Sequence, residues 1–144
     1  MKNYQEAELL AIVNGFIEKT LDKSLWTHEA HISTAIWFLK NYEPTDALCR
    51  LRSGIINYNI STGGENTGQN GYHETITIFW WEVLKQFIAK NPQESFADTC
   101  TLFLNSVMAE KTYPFNFYTR ETLLSALARA KYIQPDLKEI QIDL

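Results

Sequence analysis

Ile76, Trp80, Val83, Leu84 and Phe87 recur at spacings of three and four residues, the period of one helical face, and form the most apolar stripe in the chain. A stripe of that strength has to be buried against other elements. The segment from Tyr72-His73-Glu74 to about Lys90 therefore reads as a central helix, closed by Asn91-Pro92 because a residue before proline is pushed out of helical geometry. The β-branched run Thr75-Ile76-Thr77-Ile78 is the one plausible strand, but it continues into Phe79-Trp80-Trp81 and helical spacing accounts for more of it.

The same period organises the rest of the chain. Ala7, Leu10, Val13, Phe16 and Ile17 predict a first amphipathic helix over residues 4 to about 20. Thr27 is placed to cap a second helix from His28 to about Tyr42, whose crowded rows of Ile32, Ala35, Ile36, Leu39, Trp37 and Phe38 predict burial over more than half its circumference. Thr45 is the expected cap of a third helix reaching about Ile60, with Gly54 as a weak point or a close-packing position. Ser95 or Asp98 would open a fifth helix extending to Met108, and Thr119 a sixth through Ala130. The expectation is an all-α, single-domain bundle of about six helices in which the second and fourth are buried and their N-terminal ends converge. The tail at 135–144 is expected to pack loosely.

Composition narrows the function. A net charge of −4, with scattered Lys and Arg, argues against binding to a nucleic-acid backbone. No apolar run approaches the roughly 20 residues that span a bilayer, so no membrane partner is expected. Cys49 and Cys100 form no CxxC pair and read as two reduced core thiols. With no recognisable signal segment, a cytoplasmic location is the expectation. Oligomeric state is not legible.

Chemistry concentrates in the three histidines. His28 and His31 lie one turn apart at the start of the second helix, and His73 opens the fourth, all on inward rows. Two imidazoles from one helix and a third from another would leave an open position on a bound ion, the arrangement of catalytic zinc sites, and imidazole equally suits iron or nickel. A helix N-terminus also favours neutral imidazole, the form that binds a metal or accepts a proton. Glu74 is the candidate acceptor behind a metal-bound histidine, or the general base. The alternative is that the histidines are structural, or donate hydrogen bonds in a non-enzymatic module that binds a small molecule or another protein. In either case Trp26, Tyr58, Asn59, Asn66, Thr67 and Tyr72 are the candidate walls of a pocket. The glycine-rich segment 61–71, long for a loop inside a small domain, is its candidate lid or a partner contact.

The combination of Trp26-Thr27-His28, Ala30-His31, Ile55 to Asn59, Asn66-Thr67 and Gly71-Tyr72-His73-Glu74-Thr75-Ile76-Thr77 resembles a family of small bacterial helical proteins in which both histidine motifs recur together. The resemblance extends from about Phe16 to Leu137, including Gln134-Pro135-Asp136. It implies a shared site at His28, His31 and His73 and supplies no substrate.

Overall fold

The structure, a computed structural model that describes residues 1–142, contains seven α-helices and no strand among the described residues. They are α1 (Glu6–Glu18), α2 (His28–Asn41), α3 (Pro44–Ser61), α4 (Glu74–Lys90), α5 (Phe96–Leu104), α6 (Arg120–Leu123) and α7 (Ala126–Ala130). None is long and apolar enough to cross a membrane.

α2 is the axis of the bundle and packs on α1, α3, α4 and α5. Its buried set includes Ala30, Ile32, Ser33, Thr34, Ala35, Ile36 and Phe38, which covers more than one face, as its crowded apolar rows require. α4 buries Phe79, Trp80, Val83, Leu84 and Phe87 in the same core. Gly54 is a close-packing position. A Cβ there would stand 2.8 Å from the Phe16 ring, so glycine is what lets α3 approach α1.

Helix ends follow local chemistry. Thr27 accepts from the Ala30 N–H, Ser95 from Asp98 and Thr119 from Thr122, each an oxygen satisfying a first-turn donor. α3 begins two residues earlier than a Thr45 cap allows. Pro44 occupies its first turn, where the missing N–H costs nothing, and Glu43 precedes it without a side-chain bond. α5 stops at Leu104 instead of running to Met108, because Asn105 and Ser106 turn back onto the carbonyls of Thr101 and Phe103. A short 3-10 turn at Val107–Ala109 follows. The expected sixth helix is two, since Ser125 accepts from Ala128 N–H and restarts the chain as α7.

The candidate lid at 61–71 and the tail expected to pack loosely are both tied by hydrogen bonds. In the segment 61–71, the Asn66 Oδ1 accepts from Asn59 Nδ2 and from the Tyr72 N–H, both at 3.0 Å, while Asn66 Nδ2 donates to the Ile56 carbonyl at 3.1 Å. Asp136 accepts from the Thr119 N–H and from the hydroxyls of Thr119 and Thr122. Gln86 then bonds the backbone at Ile140 and Ile142, and Ile142 is buried. The expectation for the tail's last two residues lies outside the described residues. Of the two free thiols, Cys100 is buried as expected and Cys49 is exposed on α3.

Candidate functional site

The start of α2 is fixed from both sides. Asp22 caps the 3-10 turn Lys23–Leu25 that delivers Trp26, and Thr27 caps the helix itself. Trp26 is thereby held in a three-ring stack, 4.4 Å from Phe16 and 3.9 Å from His31 between ring centroids. Its indole N–H is buried with no acceptor among the described residues, a cost of about 1–3 kcal/mol that the stacking has to offset.

One turn apart on α2, His28 and His31 line a partly open cleft of about 330 Å³. α2 contributes Ile32 and Ala35 as well, α3 contributes Leu51 and Ile55, and α4 contributes Ile76, Thr77 and Trp80. Lys111, from the connection after the 3-10 turn at Val107–Ala109, completes the wall. Most of the lining is apolar, with His28, His31, Thr77 and Lys111 as its polar groups. That is the usual composition of a small-molecule pocket.

The two histidines are held differently. The His28 Nε2 lies 2.8 Å from the Ala109 carbonyl, so it carries the proton and donates, and the ring meets Trp80 edge-on at 5.3 Å. His31 makes no side-chain hydrogen bond among the described residues, and its one close polar-face contact is the stack on Trp26. Its ring borders the cleft and is half-buried. Burial pushes the His31 pKa down to about 3, with the charges of His28 and Lys111 acting in the same direction. Burial also lowers His28, against the opposing hydrogen bond to Ala109. Both imidazoles are therefore neutral at physiological pH.

His73 is elsewhere. It is the N-cap of α4, with Nδ1 accepting from the Ile76 N–H at 3.1 Å and Nε2 donating to the Leu123 carbonyl at 2.9 Å. Burial lowers its pKa, which keeps the acceptor nitrogen free for the cap. The separation has a simple cause. α2 begins level with Trp80 on α4, about two helical turns or roughly 10 Å of rise beyond His73. The first turns of both helices reach the cleft, but His73 itself does not line it, and among the described residues no group of three or more His, Cys, Asp or Glu side chains is placed to hold a metal ion.

Glu74 is the centre of a polar clamp between α3 and α4. Its carboxylate takes both Arg52 Nε and Nη2 at 2.9 Å and the Tyr72 hydroxyl at 2.5 Å. Burial alone would raise the Glu74 pKa, but these bonds and the Arg52 charge outweigh it and the net shift is downward. Burial and the bond to Glu74 in turn raise Tyr72. Thr77, which lines the cleft, also contacts the Tyr72 hydroxyl, so the clamp adjoins the cleft without facing it.

The remaining expected pocket residues hold structure. Tyr58 is buried beneath Trp26 and donates to the Leu21 carbonyl, Asn59 and Asn66 bond each other, and Thr67 accepts from the Gln69 and Asn70 N–H groups within the loop. Trp26 backs His31. None of the six lines the cleft. Lys111 and the Ala109 carbonyl are the site groups that sequence reasoning missed. A lone lysine in a turn carries no motif, and a main-chain oxygen has no residue signature at all.

Comparison with family models, with curated proteins and with solved structures returned no match.

Proposed function

We propose that this chain is a cytoplasmic small-molecule binding protein whose ligand occupies the cleft between α2, α3 and α4, with His28 and His31 as the hydrogen-bonding groups that orient it. The observation that carries the reading is His31, a neutral, half-buried imidazole on the wall of a mostly apolar cleft with no hydrogen-bond partner among the described residues. With no partner from the protein, the imidazole is free to donate or accept a hydrogen bond to a ligand held against the apolar lining. The two free cysteines fit a reducing compartment.

A metal-dependent reading keeps one support, the placement of two imidazoles one turn apart on one cleft. A thermal-shift screen of small polar-headed apolar compounds, run with and without chelator, separates the two. Hits that persist with chelator and vanish in Ile76→Trp, which fills the cleft from a partly exposed position, support the ligand reading. Zinc, iron or nickel retained at one per chain, lost in His31→Ala, assigns the pair to a metal instead.

A further inference from the structure

The cleft lining mixes apolar side chains with a small cluster of nitrogen-bearing groups. His28, His31 and Lys111 lie close enough that the Lys111 charge acts on both imidazoles. Leu51 and Ile55 on α3 and Ile76 on α4 supply apolar lining, and the Thr77 hydroxyl is already engaged with the His73 carbonyl. No carboxylate is among the lining groups. Glu29, beside His28, is turned to the far side of α2, where it accepts from the Tyr4 hydroxyl and meets Lys2. Glu74 is neutralised by Arg52, and Glu110 does not reach the cleft. Lys111 has no ion-pair or hydrogen-bond partner among the described residues. The cluster therefore carries one uncompensated positive charge.

The first turn of the 14-residue α2 borders the cleft through His28 and His31, and the partial positive charge of a helix N-terminus has the same sign as Lys111. Neutral His31 offers one N–H in addition. Resting on the reading of the cleft as a ligand site, we infer that its ligand is a monocarboxylate with a compact apolar body, the carboxylate set between Lys111 and His31 and the body against Leu51, Ile55 and Ile76. One cation matches one negative charge, which favours a carboxylate over a phosphate dianion. A volume of about 330 Å³, at the small end of ligand pockets, favours a short chain or a single ring over a long lipid tail.

Titration calorimetry at pH 7.5 with octanoate, 1-octanol and octyl phosphate tests this on the full chain. Octanoate should bind at least about fivefold more tightly than 1-octanol, and Lys111→Gln, an exposed position that leaves the core untouched, should remove most of that difference while sparing 1-octanol. Equal binding of octanoate and 1-octanol, unchanged by Lys111→Gln, overturns the inference and leaves the cleft reading standing. Octyl phosphate binding about tenfold more tightly than octanoate overturns the choice of carboxylate. Binding of none of the three overturns the inference as well, and the screen against Ile76→Trp then decides whether the cleft reading falls with it.

Discussion

His31 should make the fold acid-sensitive in a window where an ordinary histidine would not. Its pKa is near 6.5 in the unfolded chain and about 3 in the folded one, so between those values the unfolded state binds a proton that the folded state refuses. Stability is therefore complete above about pH 6.5 and declines as pH falls toward about 3. At pH 5 the loss from this one group is about 2 kcal/mol, that is about 1.5 pH units at 1.36 kcal/mol each. His31→Phe removes the titration but keeps an aromatic ring against Trp26, whose stacking distance of 3.9 Å a phenyl ring can reproduce. Urea unfolding at pH 7.5 and pH 5 gives the readout. Wild type should lose about 2 kcal/mol more than the variant between the two pH values, whatever the variant's stability at pH 7.5. Parallel losses in the two proteins, within about 0.5 kcal/mol, would refute a His31 held neutral by the fold, because an imidazole free to protonate in the fold contributes no such difference.

The clamp between α3 and α4 should show coupling: the Arg52 and Glu74 side chains are about 34% and 18% exposed, between surface and buried pairs, so an Arg52→Met, Glu74→Gln double-mutant cycle in urea should give about 1–2 kcal/mol. Gly71→Ala should destabilise by more than about 1 kcal/mol in thermal melts. The backbone φ there is +85°, and a Cβ would stand 2.2 Å from the Glu65 carbonyl oxygen. Asp136, whose pKa the Thr119 and Thr122 bonds hold down to about 2, should stabilise the chain above its ordinary pKa and lose that effect as pH falls from about 4 to about 2. The melting-temperature gap between wild type and Asp136→Asn should accordingly be present at pH 7 and narrow below pH 4.

Where structure follows from short-range chemistry, the sequence shows it. The stripe from Ile76 to Phe87 is the buried face of α4, and the caps Thr27, Ser95 and Thr119 are in place. Boundaries fail where two signals compete. Ser125 lies inside an apolar run that looks continuous, so the break between α6 and α7 is hidden, and Pro44 reads as a stop although it is also a good start.

The site is half legible for a similar reason. His28 and His31 are one turn apart on one helix, and local geometry alone brings them together. Adding His73 required knowing where α2 and α4 cross, which no periodicity encodes. A shift of a single position also changed His73 from a first-turn side chain into a cap whose two nitrogens are both engaged. Arg52 and Glu74, 22 residues apart, were invisible as a pair for the same reason.

The most direct test of the cleft is the long-range proton–nitrogen spectrum of the three imidazoles, recorded at pH 7 with and without a hit from the screen. His28 and His73 should each show the Nε2–H tautomer and His31 a neutral ring, since carbonyl oxygens accept from the first two. Addition of the ligand should move the His31 and His28 resonances and leave those of His73 in place. Ligand that moves His73, or that leaves His31 unmoved, would contradict the assignment of the cleft as the binding site.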